Sequence, residues 1–117
     1  MEQYYKLDRV RELADNDVEF VKTLAMTFIE EVPEDARLLQ IAVVSKDYLA
    51  AYKSAHKMKP TIDLFELGVL DDLIEVQDWG KFEKKGEDIT AKLEKVLEAI
   101  EKAAKEIKED YHKKAAL

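Results

Sequence analysis

Residues that break helices are scarce in this chain, and this scarcity is the strongest constraint on its fold. The 117 residues include only three glycines and two prolines. Alanine, leucine, glutamate and lysine, which are among the better helix formers, are abundant instead. No segment shows the alternation of apolar and polar residues that is typical of a half-buried strand. We therefore expect one all-α domain over residues 1–117, which is long enough to bury a core.

Apolar residues at three- and four-residue spacing predict the helices of the first half. A short helix is expected over Leu7–Leu13. Asp15–Asp17 then offers an N-cap, with Glu19 as the partner in a capping box. Pro33 suits the first turn of a helix, so we expect it to restart the chain and a separate helix to follow over about 34–45.

In the second half, the same spacing predicts a helix that carries the chain's central histidine, a shorter one and a long final one, over about 48–67, 70–79 and 89–111. Gly68 and Gly80 are expected to end the first two of these helices. The polar residues 81–86 are expected to form a loop. Several helices with short connections favour an up-and-down four-helix bundle with an additional short helix.

Composition and missing motifs exclude several kinds of protein. Without cysteine there are no disulfides, thiolate zinc sites or cysteine nucleophiles. The net charge of −7 disfavours nucleic acid and anionic membrane surfaces as partners. The sequence has no glycine-rich phosphate loop, no His-Glu-x-x-His helix and no Gly-x-Ser-x-Gly turn. It begins without a signal peptide and contains no membrane-spanning run, so we expect a cytoplasmic protein.

His56 is the most informative residue of the chain. Lys53 and Lys59 lie three residues away on either side and share its helix face, and Lys57 is adjacent. These lysines belong to a basic island in an acidic protein. Clustered ammonium groups favour a bound or attached phosphoryl group and a neutral, nucleophilic imidazole. The alternative is a surface histidine among solubilising lysines. His112, in a lysine-rich tail, is expected to be a solvated terminal residue.

Pro60 adds to the case for a site at His56. A proline inside a helix costs roughly 3 kcal/mol. It also lacks the N–H that would bond the carbonyl group of His56. We therefore expect the backbone beside His56 to kink or open. The alternative is that Pro60 only bends a long helix around the core.

The stretch from Ala55 to Phe65 resembles the core motif of histidine phosphotransfer (HPt) domains, which carry Ala-His-x-Leu-Lys-Gly followed by small residues. His56 matches the phosphorylated histidine, and Met58 replaces the leucine. Lys59 matches the lysine that helps to hold the phosphoryl group. The order of helices is similar to the family layout over nearly the whole chain.

The chain departs from the family pattern at three places. Pro60 replaces the glycine that usually follows the histidine by four residues. Glu66 stands where the family often has another glycine. Gln77 is off register with the glutamine that contacts the phosphoryl group in some members.

The resemblance implies a phosphoryl carrier rather than an enzyme. His56 accepts the phosphoryl group from a receiver-domain aspartate and passes it to another receiver. Lys59, with Lys53 or Lys57 as charge support, stabilises it. The implied partners are response-regulator receiver domains and a hybrid sensor histidine kinase. Magnesium belongs to the receiver, so the carrier needs no cofactor or metal of its own, and a monomer is expected. The expected docking face comprises Leu49, Tyr52 and part of the helix over 24–28.

Two other interpretations remain. The first is a bundle that docks a receiver or kinase without being phosphorylated, which Pro60 and Glu66 favour. The second is a structural or oligomerising helical protein, which only the long charged final helix favours. The sequence leaves a free-standing domain and a piece of a larger kinase both open, with the initial Met1 favouring the former.

Overall fold

The computed structural model describes the backbone of residues 2–116 and the side chains of residues 2–111, so the side chain of His112 lies outside the described part. Helices account for most of this part, and it contains no strand, which confirms the predicted all-α class. The helices are α1 (Asp8–Leu13), α2 (Val18–Val44), α3 (Tyr48–Leu64), α4 (Leu70–Lys81) and α5 (Thr90–Ala116).

The four longer helices form an up-and-down bundle. α3 packs against α2 and α4, and α5 packs against the same two helices, while α1 lies on α2. Helices that follow one another in sequence are therefore neighbours in space. Large apolar side chains from all four helices fill the centre, among them Phe28, Leu39, Met58, Leu73 and Ile100. Within residues 2–116, we find no helix with the length and apolar character that a membrane crossing requires.

The predicted break at Pro33 is wrong, because Pro33 lies inside the single helix α2. Val32 and Ala36 are buried on either side of it, so one apolar stripe continues through the proline into the second half of the helix. Packing of both halves against the bundle outweighs the cost of roughly 3 kcal/mol for an interior proline.

The start of α2 also differs from its prediction. Asp17 is the N-cap residue, and its carboxylate accepts hydrogen bonds from the backbone N–H groups of Glu19 and Phe20. The third helical position is therefore Phe20, so Glu19 cannot complete a capping box. Asp15 and Asn16 have φ angles of 52° and 61° and form the turn that precedes the cap.

Glu66, rather than Gly68, ends α3. Glu66 has a φ of 52°, and its N–H bonds the carbonyl group of Asp63, while the N–H of Leu67 bonds that of Ile62. This pair of bonds is a Schellman motif, in which the left-handed position is most often glycine. α3 consequently ends at Leu64, three residues earlier than expected.

Gly80 was expected to end α4, but it lies within that helix. A Cβ atom at Gly80 would fall 2.5 Å from the carbonyl oxygen of Tyr48 and 2.7 Å from the backbone nitrogen of Tyr52. Both of these neighbours belong to the backbone of α3. The absent side chain thus allows the backbones of α3 and α4 to approach each other closely.

Residues 2–7 cross one end of the bundle. The N–H of Lys6 donates to the carbonyl oxygen of Phe65 over 2.8 Å, at the end of α3. The buried Tyr5 donates its hydroxyl to Asp110 Oδ2 on α5 over 2.7 Å. Burial, followed by the hydrogen bond to this carboxylate, raises the pKa of Tyr5 above its ordinary value. The segment thereby links α3 to α5.

Candidate functional site

His56 lies in the middle of α3, with its side chain exposed at the bundle surface. The helix is anchored beneath it by Ala55 and Met58, which are buried in the core. One turn earlier, the Tyr52 ring stacks on the imidazole, with ring centroids 5.7 Å apart and planes inclined by 27°. The imidazole is therefore accessible from solvent and supported on one side by an aromatic ring.

Gln77 on α4 reaches the histidine. Its Oε1 lies 3.4 Å from Nδ1 of His56, at the long end of the hydrogen-bonding range. Gln77 is only 7% exposed, so its amide is held between the two helices. Gln77 therefore contacts the candidate nucleophile, although its register with the family glutamine stays a prediction. With the amide oxygen facing the ring, this contact forms in the tautomer of the imidazole that carries its proton on Nδ1.

The close approach at Gly80 explains this reach. Gly80 follows Gln77 by about one helical turn, and Tyr52 precedes His56 by about one turn. The close approach of the two backbones at Gly80 is therefore one turn away from the contact between Gln77 and His56.

The structure separates the three lysines that the sequence grouped around His56. Lys57 Nζ lies 3.0 Å from Asp35 Oδ1 on α2. The hydrogen bond to Asp35, followed by the charges of Asp35 and Glu31, raises the pKa of Lys57. Among the described side chains, none forms an ion pair with Lys53 or Lys59. Lys59 is half-buried and Lys53 is exposed.

Asp35 and Gln77 are the buried polar side chains of the described part of the chain, at 8% and 7% exposure. They contact successive residues of α3 from opposite sides: Gln77 of α4 contacts His56, and Asp35 of α2 contacts Lys57. Neither was predicted from the sequence as a site residue. A signal existed, because each occupies a position on the apolar stripe of its helix, where a polar residue is unusual.

Pro60 is exposed and lies within α3, which continues to Leu64. The helix therefore continues through the proline, and the kink expected beside His56 stays a prediction. The carbonyl oxygen of His56 still has no helical N–H partner, since proline has none to give.

The expected docking face is present only in part. Leu49 is 61% exposed and lines an open groove of about 500 Å³ together with Tyr48, Tyr52, Lys46 and Lys81. In the helix over 24–28, Leu24 is half-buried. Phe28, however, is buried against Phe65 with ring centroids 4.9 Å apart, so it is unavailable to a partner.

Among the described side chains, no group of three or more histidine, aspartate or glutamate residues is placed to hold a metal ion. Comparison of the chain with protein-family models, curated proteins and solved structures found no match.

Proposed function

We propose that this chain is a histidine-containing phosphotransfer protein, in which His56 accepts a phosphoryl group from a receiver-domain aspartate and passes it to another receiver. The observation that carries the proposal is the contact between Gln77 Oε1 and Nδ1 of an exposed histidine. In packing, a buried amide aimed at one nitrogen of a surface imidazole gains only the hydrogen-bond partner that it needs. It has a clear purpose in nucleophilic chemistry, where it fixes which nitrogen reacts.

The nucleophile is Nε2 of His56. With the proton on Nδ1 and donated to Gln77, the lone pair of the neutral ring lies on Nε2. Tyr52 stacks on the ring and restricts its rotation. The reacting nitrogen is thereby oriented before a partner arrives, and orientation of this kind lowers the entropic part of the barrier.

The transfer requires no movement of a proton at the histidine. The Nε2 lone pair forms the bond to phosphorus as the bond between phosphorus and the donor's aspartyl oxygen breaks, and the carboxylate leaves with that electron pair. The hydrogen stays on Nδ1, where Gln77 accepts it. In onward transfer, a carboxylate of the second receiver attacks phosphorus, and the neutral imidazole leaves with the electron pair of the N–P bond.

Lys59 and Lys53 stabilise the transferred group. Both ammonium groups are without a carboxylate partner among the described residues and lie one helical turn from His56. Ammonium groups contact phosphoryl oxygens as flexible point charges. Lys59 is the stronger candidate because its stem is half-buried, which restricts the ammonium group to fewer positions.

The partner supplies the remaining chemistry. A receiver domain brings the aspartyl phosphate, its magnesium ion and the catalytic groups, and a hybrid sensor histidine kinase is the expected source of the phosphoryl group. The carrier acts as a cytoplasmic monomer. Leu49 and the adjoining groove beside Tyr52 offer apolar surface next to His56 on which the receiver can dock.

A phosphoryl transfer assay tests the proposal. The purified chain is mixed with a receiver domain that has been phosphorylated in the presence of magnesium. We expect an acid-labile, base-stable adduct that is absent from His56→Gln, while the helicity and the thermal unfolding of that variant are unchanged. If His56→Gln failed to fold, His56 would instead be a structural residue.

A second candidate function is docking without phosphorylation. Pro60 favours it, because the family pattern that the chain resembles has glycine at this position, close to where a partner must approach. Leu49 and its groove serve docking equally well. Binding of a receiver without formation of an adduct would favour this alternative.

A further inference from the structure

The three lysines beside His56 do not have the same freedom. Lys57 is bound to Asp35, whereas Lys53 and Lys59 have no ion-pair partner among the described side chains. The contacts of His56 and Lys57 also point in different directions, since His56 reaches α4 and Lys57 reaches α2. The ammonium group nearest to the histidine in sequence is therefore directed away from the imidazole.

Asp35 holds Lys57 firmly because of where the carboxylate lies. The Asp35 side chain is 11% exposed, while that of Lys57 is 64% exposed. If the ion pair opened, the Lys57 ammonium group would remain hydrated. The Asp35 carboxylate would lose its partner in a poorly hydrated position, which is unfavourable. Glu31, one turn earlier on α2, also attracts Lys57.

We propose that Asp35 is a positioning residue that withholds Lys57 from the phosphoryl group on His56, so that this group is stabilised by two lysines and remains easy to transfer. The inference rests on the proposed phosphotransfer function. A carrier must bind the phosphoryl group at an intermediate strength. Each additional ammonium contact stabilises the phosphorylated state more than the transition state for departure, so the transfer becomes slower.

The test compares the wild type with Asp35→Asn, Lys57→Gln and the double variant. Each is phosphorylated by a receiver, and two rates are measured: hydrolysis of the phosphohistidine and transfer to a second receiver. We expect Asp35→Asn to slow both by roughly three- to tenfold, as one released charge-assisted contact predicts. Lys57→Gln is expected to stay within about twofold of the wild type, since an already withheld ammonium contributes little.

The double variant decides whether Asp35 acts through Lys57. We expect it to return to wild-type rates, because no ammonium group remains to be released. Persistence of the slow rates in the double variant would overturn the proposal, as would wild-type rates in Asp35→Asn. Glu34→Gln is the matched control, since Glu34 lies beside Asp35 in sequence but pairs with Arg37. It is expected to leave both rates unchanged.

A measurement on the wild type alone tests the proposal even if the variants fail to fold. NMR signals of the lysine side chains are followed as His56 becomes phosphorylated. The Nζ and Cε shifts of Lys59 are expected to move, and those of Lys57 to stay where they are. A comparable movement at Lys57 would overturn the proposal. Absence of any adduct on the wild type would refute the phosphotransfer function itself, which is a different outcome from an adduct that ignores Asp35.

Discussion

Gly80 of α4 lies directly against Tyr52 of α3, so closely that a Cβ atom would fall 2.7 Å from the backbone nitrogen of Tyr52. Tyr52 in turn stacks on His56, and Gly80 lies one turn from Gln77. The close approach of the two helix backbones thus lies one turn from the contacts of the candidate nucleophile. A change at a buried glycine should therefore be detected at the imidazole.

Gly80→Ala tests this coupling. Overpacking against the α3 backbone should lower the free energy of unfolding by roughly 1–3 kcal/mol, measured by urea denaturation. The displacement of α4 should also weaken the contact of Gln77 with Nδ1, which ¹⁵N NMR detects as a loss of the preferred tautomer of His56. Gly86→Ala is the control, because nothing lies within 4 Å of a Cβ atom there. If Gly80→Ala lowered the free energy of unfolding but left the tautomer of His56 unchanged, the approach of the helices at Gly80 would not be coupled to the imidazole.

Lys59→Ala should slow phosphoryl transfer more than it weakens docking. Lys59 stabilises the phosphohistidine as it forms, so removal of this charge-assisted contact is expected to reduce the rate of transfer from the receiver to His56 by roughly tenfold. Stopped-flow transfer assays give the rate, and titration calorimetry with the unphosphorylated receiver gives the affinity. Lys95→Ala, at an exposed position on α5, is the matched control. An unchanged transfer rate in Lys59→Ala would remove Lys59 from the mechanism.

Glu66→Gly should stabilise the protein. Glu66 occupies the left-handed position of the Schellman motif at the end of α3, with a φ of 52°. That conformation costs a non-glycine residue roughly 1–2 kcal/mol, so its replacement by glycine should raise the free energy of unfolding by about 1 kcal/mol. Urea denaturation measures the change. Glu66→Ala controls for loss of the side chain, and equal stability of the two variants would show that the φ angle is not responsible.

The buried hydroxyl of Tyr5 should make stability depend on pH in alkaline solution. The pKa of Tyr5 is raised in the folded state, so above the unfolded value of about 10 the unfolded chain releases a proton that the folded chain retains. The contribution of Tyr5 to the free energy of unfolding is therefore fully present below pH 10 and decreases as the pH rises above 10. Tyr5→Phe should be less stable than the wild type by roughly 1 kcal/mol at pH 7, and this difference should shrink above pH 10. A constant difference between pH 8 and 11 would contradict this account.

The sequence predicted the parts of this molecule that depend on local pattern. The apolar stripes placed the helices, and the neighbourhood of His56 with Lys59 identified the candidate nucleophile. Pro33 misled because local rules cannot weigh one proline against the packing of a whole helix. The end of α3 was predicted wrongly because the left-handed conformation was assigned to the nearest glycine, Gly68, whereas Glu66 adopts this conformation.

The second half of the site depends on contacts between helices, and these could not be predicted from spacing alone. Gln77 contacts His56 across the interface where Gly80 allows α4 to approach α3 closely. In the sequence, nothing distinguishes Asp35 from the other acidic residues, and its contact with Lys57 appears only when α2 and α3 pack together. Both residues lie on apolar stripes, so the rule that a buried polar residue needs a partner would have selected them.

The most direct test of the central claim is to identify the nitrogen that carries the phosphoryl group. The chain is phosphorylated by a receiver, and ³¹P and ¹⁵N NMR assign the site on His56. The adduct should form roughly tenfold more slowly in Gln77→Met, which lacks the acceptor, whereas Gln40→Met, at an exposed position of α2, should behave as the wild type. In the wild type, we expect phosphorylation at Nε2 alone. Phosphorylation at Nδ1, or no adduct on His56, would contradict this expectation.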